Sequence, residues 1–409
     1  MEAALKESAS QTGQPLRVAL LTGGGDKPYA LGLASALIAQ GVSFDFIGSD
    51  EVDSPELHKT NLVKFLNFRG EQTREASWLA KASRVMRYYA RLIGYAWTAE
   101  PRVFHLLWHN KFELFDRIVL MLYYRLVGRR IVFTAHNVNA GKRDANDSVA
   151  NRLSLRIQYR LSSHVFVHTE QMKRELSADF GVPEKKVSVI PFGINNTVPN
   201  TELTSRQARE AFGLNGSHKT LLFFGNIAPY KGLEYLIAAL AEVAKKDKDY
   251  RLIVAGAVKG CAEYWQEMCQ AIDHAGIRAQ LIQRTEYVPD EVVEVFFKAA
   301  DVLILPYTHI FQSGVLFLGY NFGLPVIASD VGSLREEIIE GKTGCVCRPR
   351  DSHALAGAIE TYFGSNLYKE LETRRDDIRA YANERYSWSK VGKITRKVYS
   401  QLIAAGSVR

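Results

Sequence analysis

Two series of short apolar runs, each run followed by a helix-patterned stretch, constrain what this chain can fold into. The first series reads as strands at 16–22, 43–47, 103–107, 131–134 and 164–167. The second reads as strands at 220–225, 252–255, 302–305, 326–328 and 345–346. The runs are dominated by Val, Ile, Leu and Phe rather than alternating with polar residues, as expected of parallel strands buried on both faces. The gaps between them hold a crossover helix, the mark of βαβ units. Polar, turn-rich sequence (Asn195-Asn196-Thr197-Val198-Pro199-Asn200) separates the series. The expected architecture is therefore α/β, with two doubly wound Rossmann-like domains facing across a cleft. Residues 1–192 form the first domain and 193–384 the second. A tail, 385–409, carries a helical pattern expected to pack back towards the first domain. Ligands of such sheets bind beyond the carboxyl ends of the strands.

Composition narrows the function classes. Hydrophobic residues make up 47% of the 409 and charged residues 23%, the balance of a globular chain. Four cysteines (Cys261, Cys269, Cys345 and Cys347) are too few and too irregular for a disulfide framework or a zinc site. Cys345 and Cys347 alternate across an expected strand and read as buried thiols. The opening residues, Met1 to Ser8, lack the apolar core of a signal peptide. No uninterrupted apolar stretch approaches the length of a membrane span. A cytoplasmic location is expected.

The net charge is +8, and it is concentrated. Residues 81–130 hold ten basic residues against three acidic ones, a local excess of +7. Wound as a helix, the stretch from Trp78 places Lys81, Arg84, Arg87 and Arg91 on one side. Trp78, Ala82, Val85, Met86, Tyr89, Ile93 and Ala96 fall on the other. A basic, aromatic, amphipathic helix suits an anionic membrane surface, and Arg84, Arg87 and Arg91 are the residues expected to meet it. A core-facing helix with a solvated basic side is the alternative. No nucleic-acid motif is present, so no nucleic-acid partner is expected.

Several motifs sit at strand ends. Gly23-Gly24-Gly25 follows the first strand and opens a helix, letting a ligand approach the backbone and the helix N-terminus. It is not a dinucleotide fingerprint, because Pro28 occupies the position of the last glycine. Thr134-Ala135-His136-Asn137 ends a strand of the first domain, where catalytic residues of such folds collect. His105 and His109 flank another strand end. In the second domain, Gly225-Asn226 follows the first strand, and Lys231 precedes a helix, placed to neutralise a phosphate. Gln312-Ser313-Gly314-Val315 opens another helix, where free N–H groups and a hydroxyl could meet a diphosphate. Gly341-Lys342-Thr343 is no phosphate loop, since the required glycine is Glu336. Asp247-Lys248-Asp249 reads as a solvated turn.

Together, in this order, the glycine run, the Thr134–Asn137 strand end, Val189 to Ile194, Tyr230-Lys231-Gly232 and Gly323-Leu324-Pro325-Val326-Ile327-Ala328 resemble the retaining glycosyltransferases of family 4, which have the GT-B fold. The resemblance covers nearly the whole chain. It implies a nucleotide-diphosphate sugar, UDP- or GDP-linked, held by the second domain through Gly225, Asn226, Lys231, Ser313, Gly314 and Val315. It implies an acceptor at Gly24, Gly25 and Asn137, with His136 orienting the acceptor or touching the transferred sugar. His136 and Lys231 are then the catalytic candidates. Three positions depart from the family pattern. Asn226 stands where an Arg is usual, and Ile310 and Leu318 stand where a Glu-x7-Glu pair is usual.

The function expected is a hexosyltransferase that needs neither metal nor cofactor. Lys231 and the Ser313–Gly314 amides would stabilise the leaving phosphate, and the resemblance implies a front-face mechanism in which that phosphate itself takes the acceptor's proton. The basic segment lies in the acceptor domain, so the acceptor is expected to be lipid-linked or a growing glycan at the inner face of the cell membrane. Two other readings fit the same pattern. One is a catalytically weak nucleotide-sugar or glycan binding module, suggested by the three departures. The other is a sugar-nucleotide epimerase acting on the donor alone.

Overall fold

A computed structural model describes residues 16–24, 26–71, 77–143, 147–193, 198–258, 260–310 and 312–405. Gly25 and Ile194 to Thr197 lie outside the described residues. The chain divides into two units. One runs to Pro191 and is completed by the segment from Trp388, and the other is Phe192–Ser387.

The first unit is built on seven parallel strands: β1 (Arg17–Leu21), β2 (Ser43–Gly48), β3 (Val63–Asn67), β4 (Val103–Leu106), β5 (Arg130–Thr134), β6 (His164–Val167) and β7 (Val187–Val189). Their order is β3-β2-β1-β4-β5-β6-β7. The central strands are apolar on both faces because helices cover both, and Leu20, Phe46, Phe104 and Ile131 are sealed from solvent. Helix α1 (Lys27–Ala39) starts where Asp26 accepts the Tyr29 amide, with Pro28 in its first turn. Helix α2 (Trp78–Thr98) carries the basic segment, and α3 (Met121–Leu126) follows β4.

The second unit holds six parallel strands: β8 (Lys219–Phe224), β9 (Tyr250–Ala255), β10 (Leu281–Arg284), β11 (Val302–Leu305), β12 (Val326–Ser329) and β13 (Gly344–Cys347). Their order is β10-β9-β8-β11-β12-β13. The helices used below are α4 (Leu233–Lys246) and α5 (Gly314–Asn321). Cys347 is buried and Cys345 half-buried in β13, and burial pushes their thiols up to about 11 and about 12. Ile310 and Leu318 are buried members of the apolar core rather than lining a polar surface.

In both sheets the strand order reverses beside the first strand, between β1 and β4 and between β8 and β11. A crevice opens beyond the carboxyl ends at such a reversal. The loops after β8 and β11 carry Lys231 and Tyr307, and the loop after β5, next to β4 in the first sheet, carries His136.

The last helix, α6 (Trp388–Ala404), belongs to the first unit. The Trp388 indole fills the space beside Gly32, where a Cβ would lie 2.2 Å from the ring. The Tyr399 hydroxyl meets His105 Nδ1 at 2.5 Å.

Candidate active site

In the second unit, β8 runs into Gly225 at φ 98, a backbone region that favours glycine. A Cβ there would lie 2.7 Å from Lys231 Nζ. The missing side chain thus makes room for the lysine, which follows a short turn at Pro229–Lys231. Lys231 is 6% exposed. Its ammonium lies 3.5 Å from the Phe224 carbonyl and 5.7 Å from the centroid of the Tyr307 ring. Burial lowers its pKa to about 8. Among the described residues it forms no ion pair. A sunken cation without a carboxylate partner attracts an anion from solution, since desolvation of the charge is offset only when an opposite charge arrives.

Tyr307 follows β11 and is fully buried. Its hydroxyl is 3.4 Å from Ser313 Oγ. Ser313 occupies the N-cap position of α5, yet its side chain makes no capping bond. The Leu316 amide bonds to the Ser313 carbonyl at 3.2 Å, so it is the Gly314 and Val315 amides that keep their capacity for an outside acceptor. Val315 Cγ2 would lie 3.5 Å from a Cβ at Gly225, so the two loops meet. The structure thus brings Gly225, Lys231, Ser313, Gly314 and Val315 together at one end of the sheet. Asn226 is exposed at the rim. Tyr307 was not singled out from the sequence; an aromatic residue directly after a strand's Pro306 is the one signal that pointed to it.

In the first unit, His136 lies just past β5. Its ring stacks on Trp108 with centroids 4.2 Å apart and planes 4° apart. Tyr29 meets its ring edge-on at 4.7 Å. His136 Nδ1 and His168 Nε2 share a hydrogen bond of 3.0 Å, and His168 Nδ1 lies 3.2 Å from the Ile190 carbonyl. Burial, then the neighbouring His168 and His105, hold His136 well below the usual imidazole range. It is a neutral, rigidly clamped ring. Such a ring can orient a hydroxyl, and it carries no charge near pH 7. Asn137, next in the chain, is half-buried. Gly24 is exposed in the loop after β1, and the Arg69 guanidinium fills the space beside it, with Nη1 1.5 Å from where a Cβ would lie. Arg69 was missed from the sequence, and Gly25 lies outside the described residues.

His105 and His109 have structural surroundings. His105 is sealed inside the sheet between Thr134 Oγ1, at 2.7 Å, and Tyr399, and burial lowers its pKa to about 3. His109 Nε2 bonds to Gln158 Oε1 at 2.8 Å.

The basic helix corrects the expected division of faces. Tyr88, Tyr89, Leu92 and Ala96 form the buried side of α2. Trp78, Met86 and Ile93, expected on that same side, are exposed, because the packing side is turned towards Tyr88 and Leu92. The basic residues differ too. Arg87 is exposed, whereas Arg84 is half-buried and donates to the Glu71 carbonyl at 2.6 Å. Arg91 donates to the Phe68 carbonyl at 3.1 Å. Arg84 and Arg91 thus tie α2 to the segment after β3 and are not simply solvated.

Comparison with known proteins settles the family. Residues 23–197 match glycosyltransferase family 4, and residues 218–364 match the group 1 glycosyl transferases. The two glycosyltransferase matches together span most of the chain, which is a family-4-like glycosyltransferase. This glycosyltransferase is 28% identical over 240 residues to the D-inositol 3-phosphate glycosyltransferase of Corynebacterium diphtheriae, covering 56% of this chain and 56% of that protein. It spans about three-fifths of the length of the curated relatives it matches. Among solved structures, sucrose-phosphate synthase from Thermosynechococcus elongatus is similar at a TM-score of 0.74 and 19% identity, covering 95% of this chain and 99% of that one. Anabaena HepE in complex with UDP-glucose is similar at 0.72 and 17%, covering 94% and 99%. These likenesses show the GT-B fold. Among the described residues, no helix is long and apolar enough to cross a membrane.

Proposed function

We propose that this glycosyltransferase moves a hexosyl group, with retention at the anomeric carbon, from a nucleotide-diphosphate sugar to a hydroxyl acceptor. The observation that carries the reading is Lys231: a buried ammonium with no ion-pair partner among the described residues, beside the open N-terminus of α5. That pairing suits a diphosphate leaving group. The structural neighbour HepE is described in complex with UDP-glucose, which favours UDP as the nucleotide.

In the proposed reaction the bond from the anomeric carbon to the leaving phosphate oxygen breaks. A bond from the acceptor oxygen to the same carbon forms on the same face. The acceptor proton passes to the departing phosphate, and Lys231 with the α5 amides stabilises the charge that develops there. His136, held neutral, orients the acceptor or the transferred sugar. No metal enters this scheme.

A second element of the reading is location. Eleven of the sixteen exposed large apolar side chains among the described residues fall between Trp78 and Leu126. On α2, Leu79, Met86, Ile93 and Trp97 lie along one exposed stripe, and the Tyr123 hydroxyl binds the Ile93 carbonyl, bringing α3 with exposed Leu122 and Leu126 alongside. An apolar stripe beside exposed Arg87 suits the surface of an anionic membrane, hence a lipid-linked acceptor or one assembled at the inner face of the cell membrane.

The losses at 226, 310 and 318 favour weak donor affinity, as a binding module would also show. One experiment separates the readings. Purified protein is titrated with UDP, GDP and their sugar conjugates while thermal stability is followed, and donor hydrolysis is then measured with the nucleotide that binds. Stabilisation by a nucleoside diphosphate with slow hydrolysis of its sugar conjugate is the expected result. Binding with no release of sugar in any condition would leave only the binding module. An altered sugar still attached to nucleotide would mark an epimerase.

A further inference from the structure

Gln312 stands directly before Ser313, the N-cap residue of α5. Its side-chain amide is sealed from solvent at both polar atoms, Oε1 and Nε2, and neither has a hydrogen-bond partner among the described residues. Turning the amide over exchanges the two atoms and leaves both unpaired. Its neighbours in sequence are provided for. Ser313 Oγ lies 3.4 Å from the Tyr307 hydroxyl, and Ile310 and Leu318 are buried in the apolar core. From Ile310 to Tyr320 the chain carries no charged residue.

A primary amide carries two N–H donors and an acceptor oxygen, all of them satisfied by water in the unfolded chain. Burying them unpaired is unfavourable, and folded proteins leave few such groups. An apolar side chain of similar size would fill the same space without that penalty. A ligand that brings the missing partners removes the penalty, and an analogue lacking them is rejected because the amide stays unpaired. The chemistry of the amide says which part of a nucleotide sugar fits. A diphosphate presents acceptors only, and Lys231 with the Gly314 and Val315 amides supplies donors for it. Gln312 Oε1 would meet its negative charge unfavourably. Neighbouring hydroxyls of a sugar ring both donate and accept, so one can donate to Oε1 while the next accepts from Nε2.

We propose that Gln312 is a specificity-determining residue that holds a pair of neighbouring hydroxyls of the donor, on its ribose or on its hexosyl ring. This role rests on the nucleotide-sugar reading above. It gives the loop before α5 a hydroxyl-binding group of its own, where Ile310 and Leu318 offer none.

The test compares the wild type with Gln312→Leu by calorimetry against UDP, 2′-deoxy-UDP and UDP-glucose, with thermal unfolding of the ligand-free proteins alongside. The substitution removes both unpaired groups and keeps most of the bulk, so the ligand-free variant is expected to melt at or above the wild-type temperature. UDP-glucose is expected to bind the variant about tenfold more weakly. Two patterns separate the rings, and each supports the proposal. If the ribose is held, UDP weakens as much as UDP-glucose. In that case 2′-deoxy-UDP binds the wild type about tenfold more weakly than UDP does and loses nothing further in the variant. If the hexosyl ring is held, UDP and 2′-deoxy-UDP each bind the two proteins alike, and only UDP-glucose is affected. Unchanged affinity for UDP-glucose in the variant would overturn the proposal while leaving the Lys231 reading intact. Should Gln312→Leu melt well below the wild type, the comparison is repeated with Gln312→Met, unbranched and closer in shape. Lowered melting in both variants would make Gln312 a structural residue and overturn the proposal as well. A wild type that binds neither UDP nor UDP-glucose would overturn the UDP-sugar reading itself, and the role of Gln312 with it.

Discussion

The Lys231 ammonium and the Tyr307 ring are 5.7 Å apart, one following β8 and the other following β11. The contact crosses the point where the strand order of the second sheet reverses. It gives a buried cation an aromatic face but no neutralising charge. Replacing Lys231 by Ala is expected to lower turnover by about 10²–10³ and to weaken nucleoside-diphosphate binding, since one charged donor to the leaving group is lost. Steady-state kinetics with the donor identified by titration would decide it. Turnover like that of the wild type would remove the diphosphate from this loop.

The same lysine sets a pH dependence. Its free-protein pKa of about 8 lies below that of an ordinary lysine because burial disfavours the charged form. A bound diphosphate favours the charged form, so binding takes up a proton where the free lysine has lost one. Nucleotide affinity is expected to be constant below about pH 7 and to fall progressively above pH 8. Titration in buffers of different ionisation enthalpy would show the proton uptake. An affinity flat to pH 9.5 would contradict it.

Tyr307 separates ring from hydroxyl. Tyr307→Phe keeps the face beside Lys231 and loses only the 3.4 Å approach to Ser313, so nucleotide affinity is expected to stay within about threefold. Tyr307→Leu removes the π face, worth about 1–2 kcal/mol to a desolvated cation, and is expected to weaken binding about tenfold. Calorimetry on both variants checks the order.

His136→Ala is expected to reduce transfer by about 10²-fold through misplacement of the acceptor, with nucleotide affinity unchanged. Since the ring stays neutral at ordinary pH, the transfer rate of the wild type is expected to show no step near pH 6.5. Equal loss of nucleotide binding in the variant would contradict the assignment of His136 to the acceptor.

Glu337 is a stability test remote from chemistry. Buried in the second unit and bonded by the Tyr386 hydroxyl, its carboxyl is pushed up to about 7 by burial. An acid whose folded-state pKa exceeds its unfolded value binds more protons when folded, so it lowers stability as pH rises from about 4.5 to 7. Glu337→Gln is expected to stabilise the second unit at pH 8 by up to about 3 kcal/mol, with the advantage gone near pH 4.5. Urea unfolding at the two pH values measures it.

The membrane reading rests on the apolar stripe as well as on charge. Met86→Ser, Ile93→Ser and Trp97→Ser together are expected to abolish co-sedimentation with anionic vesicles without loss of fold, since all three are exposed. Arg87→Glu alone is expected to weaken it, by about 1 kcal/mol or more. A triple change at Arg84, Arg87 and Arg91 is a poorer test, because Arg84 and Arg91 hold backbone carbonyls. Undiminished vesicle binding by the serine variant would remove the stripe from the interface.

The central strands were legible in the sequence because burial on both faces makes them continuous apolar runs. The strands β3, β7 and β10 were not. Each lies at a sheet edge, half-covered, and reads Val-Lys-Phe-Leu-Asn, Val-Ser-Val or Leu-Ile-Gln-Arg. An edge strand meets solvent and needs no unbroken apolar run. The glycine loops, Lys231, Ser313 and His136 could be picked out because each follows or ends a recognisable strand. Tyr307 and Arg69 could not, because what matters about them is a neighbour distant in sequence: Lys231 for one, Gly24 and Tyr88 for the other. The orientation of α2 was misjudged for a related reason. Its sequence carries apolar residues over more than half its circumference, and only tertiary packing chooses which of them are covered.

The helix that closes the first unit, α6, is translated after all of the second. Until Trp388 and Tyr399 emerge from the ribosome, the space beside Gly32 is unfilled and His105 Nδ1 lacks the Tyr399 hydroxyl. The second unit is contiguous and can fold as it is made, whereas the first must wait, partly open, for the end of synthesis. A nascent chain stalled before residue 388 should therefore expose the first unit to protease while the second already resists it.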